Sequence, residues 1–253
     1  MTTDIAVMTR RGVTLMVRSP MTMSTAAFMP IILLLLLSVS FGSVVMPGAG
    51  VADYVQFATP LFVTMGVAFG AISTAISAQQ DRTSGFDDRL RTLPISPVAP
   101  LAGRIIADVG RNLVTLILVT ADAVALGFRF HNGVLGAVVY VVTPLIFGSG
   151  LAWFMVAVAM IAESAESAAS MLNAVMLVLS FLSVGMVPLE DLPGWAQPIA
   201  SANPVSHAIG AMRDATTSGA SVLGADAGIT LVWSTGLTAM FGYVGVRAYR
   251  RSR

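Results

Sequence analysis

What most restricts the fold of this chain is a series of apolar segments, each about as long as the 20 residues a helix needs to cross a hydrocarbon core. Reading for stretches nearly free of charge gives six: about Ser24 to Val45, within Tyr54 to Gln80, about Ile105 to Phe128, about Val134 to Ala162, Ser167 to Leu189, and roughly Ile229 to Val246. Only 11% of the 253 residues are charged and 56% are hydrophobic, with a mean hydropathy of +0.83. A soluble domain needs about a quarter charged residues to wet its surface. The solvent of this chain is therefore largely lipid, and the expected fold is all-α: one domain over residues 1–253, a polytopic membrane protein with six transmembrane helices. Pro30 and Pro144 fall inside spans, which lipid-buried helices tolerate.

The few polar groups exclude several chemistries. All 14 basic residues are arginine, so neither a phosphate-binding P-loop lysine nor a Schiff-base lysine exists here. With no cysteine there is no disulfide, thiol nucleophile or thiolate metal site. The two histidines, His131 and His207, are too few and too far apart for the usual zinc motifs, and no metal site is expected. Nucleic acid is excluded as a partner by the same composition.

Arginine placement sets an orientation. Arg10, Arg11 and Arg18 precede the first span; Arg82, Arg89, Arg91 and Arg104 lie between the second and third, with Arg111 just inside the third; Arg247, Arg250, Arg251 and Arg253 close the chain. The alternate loops hold only Arg129 and Arg213. Both termini and the 81–104 loop are therefore expected in the cytoplasm, the chain being multi-pass in the cell membrane. Arg10 and Arg11 resemble a twin-arginine export signal, but five further spans follow, so they read as anchors that hold segment 1–22 inside. Residues 4–19 suit an amphipathic helix on the inner membrane surface.

Two loops are unlike ordinary connectors. In the inner one, Phe86, Leu90 and Leu93 share a helical face while Asp87, Asp88, Arg89 and Arg91 point elsewhere, and Pro94 stops the pattern. A short amphipathic helix is expected there. The outer loop, 190–226, begins too proline-rich for a regular helix, from Pro188 through Pro193 to Pro198. It then starts a new helix with Asn203 as N-cap and Pro204 in first position, Val205, Ile209 and Met212 recurring at helical spacing. Trp195 suits the membrane interface. The expectation is a partly re-entrant hairpin capping the outer face.

Together these loops resemble the membrane subunits of ABC-2 type exporters, and most closely the daunorubicin/doxorubicin-resistance permeases of actinobacteria. The inner signature stands as Asp81, Arg82, Gly85, Arg89, Leu90, Leu93 and Pro94, continuing into Arg104 and Arg111. The outer one stands as Gly185, Pro188, Leu189, Pro193, Trp195, Pro198, Pro204, Val205, Ser206, Ala211 and Arg213, and residues Gly127 to Phe130 add a third element.

The resemblance implies a dimer of six-helix permease subunits, with itself or a sister chain, and a separate ATP-binding subunit docked on the cytoplasmic side. No cofactor is expected in this chain; ATP and Mg belong on that partner, as the missing lysine agrees, and the chain itself is not expected to be an enzyme. The inner loop would be a coupling helix, with Arg82, Gly85, Phe86, Asp87, Asp88, Arg89, Leu90, Leu93 and Pro94 as its docking surface. Pro188, Pro193, Trp195, Pro204 and Arg213 would form the extracellular cap. The path for a large amphiphilic substrate (drug, lipid or polyketide-like) would lie between the two subunits, lined mainly by the second and fifth spans through Phe62, Met65, Phe69, Ser73, Asn173, Met176, Leu177, Ser180 and Phe181. Gly66 and Gly70 offer a close-packing surface beside it.

Asp122 is the most deeply placed acid; it is counted with the path residues and suits either a cationic substrate or a polar partner. Glu163 and Glu166 mark an acidic inner turn. An ion-coupled secondary multidrug transporter is the rival function, with Asp122 its one support and no inverted repeat visible. An intramembrane serine protease is disfavoured, because Gly148, Ser149 and Gly150 lack the required spacing and both histidines lie in loops.

Overall fold

The computed structural model describes residues 2–18, 20–45, 48, 50–85, 92 and 99–251. Among these it is all-α, with nine helices: α1 (Thr2–Arg18), α2 (Pro20–Val45), α3 (Val51–Thr83), α4 (Ala99–Ala125), α5 (Gly133–Ile161), α6 (Ala165–Phe181), α7 (Gln197–Ala202), α8 (Pro204–Thr216) and α9 (Ala225–Arg251). A single 3₁₀ turn, Leu189–Asp191, lies between α6 and α7.

Helix limits follow local chemistry. α3 starts after Gly50, whose N–H donates to Asp53 Oδ2 at 2.8 Å. It stops at Ser84 and Gly85, the latter at φ +70°, a left-handed position that glycine fills without strain. Ser164 caps α6 by accepting the Ser167 N–H at 3.1 Å. Asn203 caps α8, its Oδ1 accepting from the Val205 N–H at 2.9 Å with Pro204 next in line. Inside α3, the Thr64 hydroxyl donates to the carbonyl of Pro60 at 2.8 Å.

Among the described residues three helices have the length and apolarity to cross a bilayer: Val51–Thr83, Gly133–Ile161 and the Ala225–Val244 part of α9. They differ in burial: 78% of the apolar window of α3 lies inside the protein, against 44% for α5 and 11% for α9. α3 is thus the central post, packed against α2, α4, α5 and α6, while α9 turns most of its side chains outward and leans on α5.

Two expected spans come out differently. The one read from Ser167 to Leu189 ends at Phe181, and its 17 residues rise about 26 Å, short of a hydrocarbon core of about 30 Å. It ends there because polar groups take over: Ser183 Oγ donates to the Ser180 carbonyl at 2.6 Å and accepts from the Gly185 N–H at 3.2 Å, turning the backbone off the helical path. The span read from Ile105 lies in α4, which carries Arg104, Asp108, Arg111 and Asp122 and so does not rank with the apolar three. The outer loop also gains a helix, α7, where the prolines argued for none: Pro198 falls in its first turn, which needs no donor there.

Lipid supplies little hydrophobic drive for helix pairing, so close approach and polar contacts carry the packing. A Cβ on Gly148 would come within 2.2 Å of Val67 Cγ1 on α3, and one on Gly150 within 2.8 Å of the Ser234 carbonyl oxygen on α9. These glycines let α5 be held from both sides, a structural role for the Gly148 to Gly150 sequence, and Ser149 Oγ between them donates to the Leu145 carbonyl. A Cβ on Gly70 would lie 2.1 Å from Asn112 Oδ1, so the second glycine of the expected packing pair admits α4. The Gly127 to Phe130 element folds onto the outer end of α5: Phe128, Phe130 and Tyr140 pack edge-on or tilted with centroids 5.2 to 5.6 Å apart.

Candidate functional site

α3 and α6 stand side by side and leave a groove between them of about 600 Å³. Residues four and three apart on α3 share a face, which brings Met65, Phe69, Ile72, Ser73 and Ile76 to its wall. Opposite them α6 presents Asn173, Met176, Leu177 and Ser180, and Met29 of α2 closes one side. Seven residues expected along a path are therefore brought together: Met65, Phe69, Ser73, Asn173, Met176, Leu177 and Ser180. The lining is mainly apolar and holds flexible methionines, with an amide and two hydroxyls as its polar groups. Such a surface repacks around varied hydrophobic bodies.

Three other expected path residues lie elsewhere. Phe62 is one turn further along α3 but packs in the core, 1% exposed. Phe181 ends α6 and is 57% exposed. Asp122 sits on α4 away from the groove, its Oδ2 buried without a hydrogen-bond partner.

Below the groove lies a second, charged chamber of about 530 Å³ between α1, α3 and α4. Asp81, at the end of α3, receives Arg11 of α1 at 3.1 Å and Arg104 of α4 at 2.5 Å. One helical turn deeper, Asp108 accepts from Arg111, from Thr74 at 2.8 Å and from Asn112 at 3.1 Å, while Arg111 also donates to the Gly70 carbonyl and to Thr74. The sequence singled out Arg104 and Arg111 but not Asp108; an acid three residues before an arginine in a mostly apolar helix was the signal for it. α1 reaches this chamber because the expected amphipathic helix forms and packs on α4, where Gly12 and Gly103 admit Ala107 and Met8.

On the inner side Arg82 is exposed and donates to the Met160 carbonyl at the end of α5, beside Gln79, which donates to the Ala162 carbonyl at 2.8 Å. Gly85 follows at the helix stop. Phe86, Asp87, Asp88, Arg89, Leu90, Leu93 and Pro94 lie outside the described residues. Glu163 and Glu166 are exposed at the turn into α6.

On the outer side α8 plugs the mouth of the bundle, with Val205, Ile209 and Met212 at most 1% exposed. Arg213 is its bolt: the guanidinium donates to the Phe57 carbonyl at 3.0 Å and the Val184 carbonyl at 3.0 Å and lies 3.7 Å over the Phe57 ring. Burial draws this arginine down to about 10, opposed by Asp214 and Asp226, so it keeps its charge at neutral pH. Asp214 beside it is pushed up by burial and then by Asp226, with Arg213 pulling the other way. Asn203 donates to the Leu179 and Leu182 carbonyls at 2.7 and 2.9 Å, tying α8 to the end of α6. Pro188 starts the 3₁₀ turn, Pro204 opens α8, and Trp195 is 68% exposed.

The chain matches the ABC-2 type transporter family over residues 3–216. It belongs to that family. The chain is 33% identical over 231 residues to the daunorubicin resistance ABC transporter permease protein DrrB1 of Streptomyces coeruleorubidus, covering 91% of this chain and 80% of that one. It is 31% identical over 247 residues to a Mycobacterium tuberculosis protein named "Probable doxorubicin resistance ABC transporter permease protein DrrC", covering 96% and 87%. A second protein of that organism, the doxorubicin resistance ABC transporter permease protein DrrB, is 28% identical over 166 residues, 65% of this chain and 57% of that one. The relatives are permease subunits, and this chain is a multi-pass membrane transport component of the ABC-2 type.

Proposed function

We propose that this chain is the membrane-spanning subunit of an ATP-driven exporter that moves large amphiphiles out of the cell through the groove between α3 and α6. The observation that carries this reading is the groove itself: a cavity the size of a drug-sized ligand, walled by methionines, Phe69 and Ile72 with a few polar groups, in a chain of a transporter family. The names of its relatives add daunorubicin- and doxorubicin-like compounds to the substrates worth testing.

In this reading α2, α3, α4, α5, α6 together with the turns that follow it, and α9 supply six spans, both termini and the 81–104 loop face the cytoplasm, and α8 caps the outer side with Pro188, Pro193, Trp195, Pro204 and Arg213. A second permease subunit completes the path. The ATPase is a separate chain that holds ATP and Mg, and it docks on Arg82, Gly85, Phe86, Asp87, Asp88, Arg89, Leu90, Leu93 and Pro94. Closure of the motor then shifts the frame of α3 and α4, which flank that loop, relative to α6, and so changes the width of the groove between α3 and α6.

Vesicles containing this subunit, its ATPase and any sister permease test the reading. ATP-driven transport of an amphiphile is expected, falling at least ten-fold when Ser180→Trp fills the groove. Transport indifferent to that substitution removes the groove from the path. The variant with Asp87→Arg and Asp88→Arg is expected to keep ATP hydrolysis and lose export. The unpartnered carboxylate of Asp122 favours a second reading, ion-coupled transport. That reading holds instead if transport proceeds without the ATPase, runs on a proton gradient and is lost in Asp122→Asn.

A further inference from the structure

A hydroxyl inside an apolar helix has a ready partner in the carbonyl one turn back. Thr59, Thr64, Ser149, Thr230 and Ser234 all take it, at 2.5 to 2.8 Å. Ser180, in the last turn of α6, does not. It is 4% exposed, its carbonyl accepts from Ser183, and its hydroxyl bonds no group among the described residues. Nor is that hydroxyl walled in, as those of Ser38 and Tyr54 are: Ser180 lines the groove, and its free oxygen lies open there.

Two turns earlier on the same face, Asn173 also lines the groove. Its amide nitrogen donates to the Ala169 carbonyl at 2.8 Å, which turns its Oδ1 the other way and leaves it without a partner. Seven residues rise about 10 Å along a helix, so α6 offers an acceptor and a hydroxyl at that separation. Apolar Met176 and Leu177 lie between them. α3 runs antiparallel to α6, because Gln79 near its end reaches the Ala162 carbonyl and Arg213 joins Phe57 near its start to Val184. Ser73, toward the end of α3, therefore lies nearer to the level of Asn173 than to that of Ser180, and its hydroxyl is free as well.

Packing does not account for Ser180. Alanine would fit the same space and leave no hydroxyl bare, whereas an unbonded polar group in apolar surroundings is unfavourable until something enters to bond it. A hydrocarbon or acyl chain in the groove would leave it unbonded. Among the described lining residues none is charged, so what this wall offers a ligand is neutral hydrogen bonds. Two such groups held at a fixed separation favour a stiff body, which loses little freedom on bridging them.

We infer that the groove selects rigid apolar bodies with a neutral oxygen at each end, a hydroxyl donating to Asn173 and a carbonyl accepting from Ser180, over hydrocarbons and acyl chains. Ser180 is the specificity-determining contact, because it is the buried one: a ligand that lacks the matching oxygen leaves it unpaired away from water. The inference rests on the exporter reading of the groove and narrows its substrate from amphiphiles in general.

The test offers the full-length chain with its ATPase an equimolar mixture of four steroids that share one ring body: 5α-androstane, 5α-androstan-3β-ol, 5α-androstan-17-one and 3β-hydroxy-5α-androstan-17-one. Ligand retained by the complex is read by native mass spectrometry, with hexadecan-1-ol as the flexible-chain competitor. The hydroxyketone is expected to be retained most, and hexadecan-1-ol least among the oxygenated probes. Ser180→Ala is expected to lower retention of both ketones about five-fold while leaving the other two steroids unchanged. Asn173→Leu is expected to act on the two alcohols instead, by about two-fold, since that residue is exposed. Ligand-free Ser180→Ala is expected to unfold thermally at or above the wild-type temperature. A lower unfolding temperature would make the hydroxyl a structural contact and overturn the inference. So would ketone retention indifferent to Ser180→Ala, hexadecan-1-ol retained as well as the hydroxyketone, or no retention of any of the four steroids. ATP-driven transport of any amphiphile by the wild-type complex checks the exporter reading separately, since it can succeed while Ser180 is indifferent, and the reverse.

Discussion

Two arginines are deeply buried at opposite ends of this molecule, and they are held in opposite ways. Arg213, in the outer cap, is satisfied by neutral groups: the carbonyls of Phe57 and Val184 and the face of a phenyl ring. Arg111, toward the inner end, is satisfied chiefly by a carboxylate that Thr74 and Asn112 hold in place. A bond from guanidinium to main-chain carbonyl fixes position whatever the surrounding charge. A guanidinium on a carboxylate belongs to a network that another ion can enter. The outer end is therefore built to stay, and the inner end to exchange partners.

Substitutions test that contrast, the largest effect coming first. Asp108→Ala strands the Arg111 charge in the bundle and is expected to cost about 3–5 kcal/mol, measured by thermal unfolding in detergent. The pair Asp108→Leu with Arg111→Met removes both charges and is expected to recover most of that loss. If the double variant is as unstable as the single, the network does not act as a charge pair. Arg213→Met keeps the stem and removes the carbonyl bonds, with an expected loss of about 2–3 kcal/mol and faster proteolysis between 188 and 203. A cap as resistant as wild type would show that apolar Val205, Ile209 and Met212 hold it unaided. Asn203→Ala loses an N-cap and two carbonyl contacts and is expected to cost about 1–2 kcal/mol. Arg11→Gln breaks a bridge whose arginine is 34% exposed, so solvent screening keeps its expected cost below about 1 kcal/mol. A loss as large as that of Asp108→Ala would mean that α1 is integral to the bundle.

What the sequence disclosed follows from the range of the interactions concerned. The N-cap at Asn203 and Pro204 was legible because capping involves neighbours in the chain. So was the face of α3 that bears Met65, Phe69 and Ser73, since helical spacing alone groups them. The same spacing put Phe62 on that face, but it could not tell that α6 stops at Phe181 and that the next turn of α3 is buried in the core. The stop was hidden because Ser183 and Gly185 break the helix only once the serine finds its carbonyl and amide. Asp108 was half legible: Arg111 three residues on marks it as a paired acid, but Thr74 lies on another helix and nothing near Asp108 in the chain announces that contact. Asn203 was read as a cap and proved to be a tie as well, its amide reaching carbonyls more than twenty residues back.

Gly148 and Gly150 have a mechanical consequence. They grip α5 against α3 on one side and α9 on the other within a single helical turn. A rod clamped on both flanks has no side left on which to slide, so α3, α5 and α9 act as one plank. Any change in groove width must then come from α6, which meets α5 at a short turn and hangs from α8 by a single asparagine. The subunit has the construction of a frame with one door, pivoted at residues 162–164 and latched at Asn203.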